Sequence, residues 1–209
     1  MRIKFCEADL STNHPLIFMV SDGGRMLSSA RALEQKMEGS IKRAMKNENF
    51  EGALGEILVL NGPYGVKSSK IVLVGIGNPE KLDVGSAELI GGKIYPYLAS
   101  QQLAHVVVDP VSGSKLSATE ISAHLAFGAL LRSYRFDKYR TREKKRDQPK
   151  LKNLIIGVHE TSKARKIYSS LSKIANGVFF TRDLVSEPAN ILFPESFVER
   201  VRELSKSGI

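Results

Sequence analysis

Metal chemistry requires several histidine, cysteine or carboxylate side chains at ligand spacing, and the sequence shows no such set. The four histidines are scattered, and none belongs to an HExxH motif or a Cys/His cluster. His105 falls in a predicted strand and His124 near the apolar face of a predicted helix, which favours structural roles for both. The sequence therefore gives no residue a catalytic or a metal-binding role.

Phosphate chemistry would need a glycine-rich loop, and two stretches qualify in part. GIGNPE at 75–80 follows a predicted strand, as a dinucleotide loop would, but Glu80 stands where a third glycine is expected. The simpler interpretation is a turn that needs open backbone angles at Gly75 and Gly77. SDGGRMLSSA at 21–30 would present amide groups at a helix start, although a turn followed by a serine cap explains it equally well.

One basic segment raises the question of nucleic-acid binding. Of the net charge of +9, +7 falls between Arg132 and Lys152, where ten Lys and Arg residues stand against three acids. The candidate contacts with nucleic acid are Arg140, Arg142, Lys144, Lys145 and Arg146. The aromatic residues interleaved with this segment are Tyr134, Phe136 and Tyr139. Because the run REKKRDQPK is typical of a solvated loop, DNA binding is possible but is not the preferred interpretation.

The elements that would position these residues follow from the apolar pattern. Short apolar runs bounded by Gly, Pro or Ser predict buried strands at 2–5, 16–20, 56–60, 70–74, 103–108 and 151–158. Apolar residues at helical spacing predict helices at 28–47, 84–101, 117–134, 162–185 and 194–206. Strands and helices alternate from residue 56 onward. This order predicts an α/β fold with three αβα layers and a mostly parallel sheet, followed by a long helix.

Composition excludes several classes of protein. With 42% hydrophobic and 25% charged residues, the chain has the composition of a water-soluble protein. No apolar run approaches the ~18 residues of a membrane-spanning helix, and the charged N-terminus does not resemble a signal peptide. Cys6 is the single cysteine, so no internal disulfide can form. We therefore expect a reducing, cytoplasmic location and no membrane partner.

The stretch TRDLVSEPANILFP at 181–194 has the features of a junction between two bodies of structure. The helix before it carries Ile167, Leu171, Ile174 and Val178 at helical spacing, which predicts a packing seam on a connector helix. Pro188 cannot continue the helical hydrogen-bond ladder and disfavours helical geometry at Glu187. Pro194 suits the first turn of a further helix. We therefore expect the chain to enter a second body of structure here.

Two segments carry a more specific signal, GALLRSYRFDKYRT at 128–141 and TRDLVSEPANILFPESF at 181–197. Together, and in this order, they resemble the leucine aminopeptidase (cytosol aminopeptidase) family. KIVLVGIGNPEKLD at 70–83 agrees with this resemblance, whereas Ser186 stands where many members have Asn. The motif YRFDKY matches the family whether or not nucleic acid is bound, so its aromatic side chains are expected to be packed.

The resemblance implies a two-domain architecture. It predicts a macro-domain-like α/β domain over 1–160, a linker helix over 161–187 and the start of a catalytic domain over 188–209. The implied junction residues are Arg182, Asp183, Pro188, Asn190 and Pro194.

The resemblance also implies an activity for the full-length protein. The catalytic domain of the family holds two divalent metal ions, of the Mn or Zn type, and removes N-terminal residues from peptides, with hexameric assembly expected. Its metal-ligand motifs, of the types GKGVTFD and NTDAEGR, do not occur in this sequence. We therefore expect an inactive N-terminal segment that serves assembly and regulation and whose partner is the missing catalytic domain. Two alternatives stay open: a macro-like domain that binds a nucleotide or ADP-ribose, and a nucleic-acid-binding module through 132–152.

Overall fold

A seven-stranded sheet lies at the centre of the computed structural model, which describes residues 1–142, 144 and 148–207. The strands are β1 (Arg2–Cys6), β2 (Leu16–Ser21), β3 (Arg25–Met26), β4 (Ile57–Asn61), β5 (Lys70–Gly77), β6 (Leu103–Val107) and β7 (Asn153–Gly157). Their order is β1-β7-β6-β2-β5-β4, with β3 beside β2. Strands β1, β7, β6, β2 and β5 are parallel, whereas β4 and β3 are antiparallel to their neighbours. The predicted mostly parallel sheet is confirmed.

Helices cover both faces of this sheet. They are α1 (Ser28–Lys36), α2 (Ser40–Asn47), α3 (Val84–Leu98), α4 (Ala118–Arg132), α5 (Thr161–Ser186) and α6 (Pro194–Arg202). Helices α1 and α2 bury apolar side chains against one face, and α3, α4 and the start of α5 pack against the other. The three-layer αβα class with a long helix after the last strand is confirmed, while the likeness to macro domains stays a prediction.

Strand β2 shows why a continuous apolar run forms a central strand. All six of its residues are buried. Leu16, Phe18 and Val20 face α1 and α2, whereas Ile17 and Met19 face the opposite layer. Each large apolar side chain buried in this way contributes roughly 1.5–3 kcal/mol, so both helical layers are held by the same short segment.

Helices α3 and α4 pack closely because each presents a glycine to the other. A Cβ atom at Gly91 would lie 2.0 Å from the backbone oxygen of Leu125, and one at Gly128 would lie 2.0 Å from the backbone oxygen of Glu88. The glycine pair in the predicted helix 84–101 weakens intrinsic helix propensity, as expected. In the fold, however, Gly91 permits a helix contact that any side chain would prevent.

The predicted single helix at 28–47 is wrong, because the chain breaks into α1 and α2. Glu38 and Gly39 adopt positive φ angles of 50° and 81°, which ends the first helix. The Glu34 carboxylate then accepts hydrogen bonds from the amides of Ile41 at 2.8 Å and Lys42 at 3.0 Å, at the start of α2. The apolar spacing continues across the break and therefore conceals it.

The end of β5 differs from its predicted conformation at one of two glycines. Gly77 has a φ of 66°, as the prediction of open backbone angles requires. Gly75 lies in the strand without a positive φ, so that prediction is wrong there. A Cβ at Gly75 would lie 1.9 Å from the backbone oxygen of Ala53, and glycine is needed for this close approach of two backbones.

Candidate domain junction

The last turns of α5 pack against the loop that follows α4. The ring of Tyr134 lies 5.3 Å from that of Phe179 between centroids, and the Arg182 guanidinium lies 4.0 Å above the Tyr134 ring. The Tyr134 hydroxyl donates a hydrogen bond of 2.8 Å to Asp183. Burial, followed by this hydrogen bond, raises the pKa of Tyr134. The structure thus places two predicted junction residues, Arg182 and Asp183, around one aromatic ring of YRFDKY.

Glu187, at the end of α5, is the centre of a polar cluster. Its carboxylate accepts hydrogen bonds from the Lys138 ammonium at 2.6 Å, from Arg200 at 3.3 Å and from the Tyr139 hydroxyl. The Glu187 side chain is only 2% exposed. Lys138 first, and Tyr139 second, hold the pKa of the Glu187 carboxyl below its ordinary value. We call Glu187, Lys138, Tyr139 and Arg200 the junction cluster; it joins the loop after α4, the end of α5 and helix α6.

The sequence prediction did not assign a role to Glu187, although it placed the helix end there. The backbone of Glu187 is extended, with φ −73° and ψ 139°, as expected for a residue before proline. Leaving the helix at this residue turns its side chain to the cationic residues of two other elements. The sequence did contain a signal, namely a carboxylate in the helix-breaking dipeptide Glu187-Pro188 and the basic motif YRFDKY. The two are far apart in the sequence, and no local pattern connects them.

The remaining junction residues form the turn into α6. The Pro188 carbonyl accepts hydrogen bonds of 2.9 Å from the amides of Ile191 and Leu192. Pro194 occupies the first turn of α6, as predicted, and Asn190 is exposed. Arg200 ties α6 back to Glu187, so α6 has a defined attachment to α5.

Apolar side chains are exposed around this attachment. Val185 is 81% exposed, and the exposed apolar residues that follow it are Ile191, Phe193, Phe197, Val198 and Val201. The predicted packing seam of α5 is only partly correct: Ile167 and Leu171 are partly buried, whereas Ile174 and Val178 are exposed. The buried residues of α5 are Ala164, Ala175 and Leu184. The apolar spacing thus marks a face that the described part of the chain does not cover.

The basic segment is on the surface where the structure describes it. Arg140, Arg142 and Lys144 are exposed, whereas Lys145 and Arg146 lie outside the described residues. Arg140 lies 3.8 Å from the Asp137 carboxylate. The interleaved aromatic residues have partners within the molecule: Tyr134 contacts Phe179, and Phe136 contacts Tyr139 at 5.7 Å between centroids.

The start of α1 is occupied by a carboxylate of the protein itself. Asp109 accepts hydrogen bonds from the Ser29 amide at 2.9 Å and the Ser29 hydroxyl at 2.7 Å. The predicted serine cap is therefore wrong, since the capping group comes from a residue 80 positions away.

A cavity of about 340 Å³ at the carboxyl edge of the sheet is lined by Glu7, Asp109 and His159 among others. Two carboxylates disfavour a diphosphate ligand there.

Three of the four histidines, His14, His105 and His124, have a local partner. His124 Nδ1 lies 2.8 Å from the Glu88 carboxylate, and His14 stacks on His105 with ring centroids 6.1 Å apart. Within residues 1–142, 144 and 148–207, no three or more His, Cys, Asp or Glu side chains are grouped so as to hold a metal ion.

No helix in the described part of the chain has the length and apolar character needed to span a membrane.

Known proteins are similar to this chain in sequence. The profile of the cytosol aminopeptidase family, N-terminal domain, matches residues 17–143. A probable cytosol aminopeptidase of Caulobacter vibrioides is 34% identical over 212 residues, which cover 100% of this chain and 42% of the relative. The chain thus spans less than half the length of this curated relative.

Two solved structures share the fold at low sequence identity. A tomato leucine aminopeptidase mutant superposes with a TM-score of 0.80 and 22% identity, over 98% of this chain and 42% of that one. The bottromycin maturation enzyme BotP in complex with Mn gives a TM-score of 0.69 and 19% identity, over 93% and 36%. The N-terminal-domain profile of the cytosol aminopeptidase family matches more than half of the present sequence. This chain therefore belongs to the cytosol aminopeptidase family.

Proposed function

We propose that this chain is the non-catalytic N-terminal part of a metal-dependent aminopeptidase that removes N-terminal residues from peptides. The observation that carries the proposal is the group of exposed apolar residues after Val185, which lie on the turn before α6 and on α6 itself, and the junction cluster ties α6 to the end of α5. Exposed apolar patches of this kind mark interfaces in soluble proteins. We infer the activity from the names of the relatives. Because those relatives are longer than this chain, they contain a further region that this surface would contact.

The proposed division of the chain follows the junction. Residues 1–160 form the α/β domain, 161–187 the linker helix and 188–209 the start of the catalytic domain. The catalytic domain would hold two divalent metal ions of the Mn or Zn type, in keeping with the Mn in the name of one structural neighbour. We further propose a cytoplasmic location, from the relatives' name, and a role of this segment in assembly, with a hexamer as the expected oligomer.

The test compares the chain alone with the chain joined to a catalytic region. The 209-residue chain, incubated with Leu-p-nitroanilide and Mn²⁺ or Zn²⁺, should give no turnover, because a two-metal hydrolase needs several ligands around ions about 3.5–4 Å apart. A fusion of this chain to the remaining region of the Caulobacter relative should hydrolyse the same substrate. Turnover that purifies with the 209-residue chain would contradict the proposal.

A second candidate function is nucleic-acid binding through Arg140, Arg142 and Lys144, which are exposed on the basic segment. Such a site would act mainly on the phosphate backbone, because Lys and Arg in a loop position a protein without reading bases. We rank it below the first proposal, since the neighbouring aromatic side chains have partners within the molecule. The salt dependence described in the Discussion tests it.

A further inference from the structure

We propose that the outer edge of β1 is a docking site for an acidic peptide segment of a partner protein, which binds as an additional extended strand. This inference is independent of the proposed peptidase function. Its basis is the combination of an open strand edge, an adjoining apolar groove and a cationic rim.

The backbone of β1 leaves alternate groups directed outward. β1 is the terminal strand of the sheet path and, among the strands that the structure describes, pairs with β7 alone. The Arg2 amide donates to Lys152, and the Cys6 carbonyl accepts from Val158, so the even-numbered residues bond toward β7. In a parallel ladder the alternate residues, Ile3 and Phe5, therefore turn their N–H and C=O groups away from β7.

A long hydrogen bond from α5 reaches that outer edge. Arg165 on α5 donates to the Phe5 carbonyl at 3.4 Å, which confirms that this carbonyl points away from the sheet. The Ile3 amide and carbonyl, on a partly exposed residue, are left for an incoming strand, whereas Phe5 is only 5% exposed and forms part of the groove wall. Exposed edges of this kind accept peptides through main-chain hydrogen bonds.

A groove of about 530 Å³ runs beside this edge. Its apolar lining includes Ile3, Phe5, Ile155 and Tyr168. The rings of Phe5 and Tyr168 pack at 5.4 Å between centroids, and burial raises the pKa of Tyr168 to about 12. The part of the wall that Tyr168 forms is therefore an uncharged aromatic surface at neutral pH, suited to the apolar side chains of an extended peptide.

The charges of the groove select an acidic occupant. Lys4 and Arg165 line it, and its described lining contains no carboxylate. Arg2 and Lys152 are exposed at the start of the same edge. Glu7, the next acid along the chain, lines the separate cavity at the carboxyl edge of the sheet.

The same charges oppose pairing between two copies of this chain. If two β1 edges met, Arg2 and Lys4 of one copy would face the same cations of the other, and edge lysines commonly prevent such pairing. An acidic strand meets no such repulsion. Charge complementarity therefore favours a partner peptide over a second copy.

The test measures fluorescence anisotropy of labelled seven-residue peptides with the full 209-residue chain. A peptide of alternating Val and Glu should bind, whereas one of alternating Val and Lys should not. Methylating the amide nitrogens of the alternate residues that face β1 should weaken binding at least about tenfold, because each such bond is lost. Methylation of the other alternate set should leave binding unchanged.

Charge reversal locates the site. Lys4→Glu and Arg165→Glu should each raise Kd about three- to tenfold, while the exposed control Lys67→Glu should leave it unchanged, with circular dichroism confirming the fold of all three. Equal binding of the acidic and basic peptides, or equal effects of both methylation patterns, would overturn the proposal. Dimerisation in sedimentation experiments that Lys4→Glu alters would also overturn it, because the edge would then bind a second copy.

Discussion

The sheet core and the junction after α5 are held together by different interactions. In the core, Leu16, Ile17 and Phe18 have no solvent-exposed surface, and their stabilisation comes from non-directional apolar burial. At the junction, one carboxylate accepts hydrogen bonds from three side chains of other elements. Apolar burial hardly responds to pH, whereas a carboxylate with a shifted pKa does. We therefore expect that lowering the pH can release the junction without unfolding the core.

Helix α5 takes part in both regions. Its first turns bury Ala164 and place Tyr168 against Phe5 of the sheet. Its last turns hold Tyr134 through Phe179 and Arg182. Because α5 is anchored at both ends, it fixes the position of the junction relative to the core, which is what the proposed linker role requires.

The largest expected effect comes from breaking the core. Gly128→Ala should lower the free energy of unfolding by ~3 kcal/mol, because the added methyl group meets the backbone of α3 and overpacks the contact. The matched control is Gly177→Ala in α5, where an added Cβ meets nothing within 4 Å. That control should raise the free energy by ~1 kcal/mol through helix propensity. Urea denaturation followed by circular dichroism measures both, and equal effects would contradict the close helix contact.

Breaking the junction should give a smaller and local effect. Glu187→Gln removes the charge that Lys138, Tyr139 and Arg200 share, so hydrogen exchange over 188–202 should rise several-fold while exchange in β2 stays unchanged. The control is Glu160→Gln, which removes an exposed ion pair with Lys163 and should alter neither region. If exchange in β2 rose in parallel with that of α6, the two regions would form one cooperative unit.

The pH dependence of the junction separates the two regions further. The pKa of Glu187 is lowered from 4.5 by Lys138 and Tyr139, so its contribution is present above that value and is lost as pH falls through the lower folded-state pKa. The hydrogen bond to Glu187 raises the pKa values of Lys138 and Tyr139 from 10.5 and 10.0, so their contribution is lost as pH rises through the raised values. Exchange protection of α6, corrected for intrinsic rates, should be constant between about pH 5 and 9.5 and fall on either side. Glu187→Gln should abolish the acid limb; an unchanged acid limb would assign it to another group.

Local patterns predicted most of the core. The apolar runs at 16–20 and 103–108 gave strands within a residue or so of their observed bounds, and the helix from 117 begins with a capping box between Ser117 and Glu120. These signals lie within a few residues of one another, so a sequence displays them directly.

Contacts between distant residues account for what the sequence did not predict. The cap of α1 comes from Asp109, and the partner of Glu187 on the loop after α4 lies 49 positions away. Neither pair of residues produces a repeating pattern in the sequence, because each contact depends on a single side chain. The break between α1 and α2 was missed for the opposite reason: Leu33, Met37, Ile41 and Met45 keep helical spacing on both sides of it.

The smallest expected effect is on DNA binding by the basic segment. It contrasts exposed charges, which salt screens, with the charges of the junction cluster, which are paired within the molecule. The isolated chain should bind duplex DNA weakly and only at low salt, because Arg140 is near Asp137 and the aromatic residues of the motif have internal partners. If five cations contact phosphates, log K should fall against log salt with a slope of roughly −4.5, at about −0.9 per phosphate. Changing Lys144, Lys145 and Arg146 to Glu should abolish this binding without altering the circular dichroism.

A matched control separates a local site from general charge. Lys36, Lys42 and Lys46 are exposed on α1 and α2, and changing them to Glu alters the net charge by the same amount as the triple change in the basic segment. A gel shift at low and at physiological salt should show loss of binding in the first triple variant and retention in the second, since only the first removes phosphate contacts. Equal loss in both would reduce the effect to net charge. Tight binding that persists at physiological salt would instead make the basic segment a nucleic-acid site in its own right.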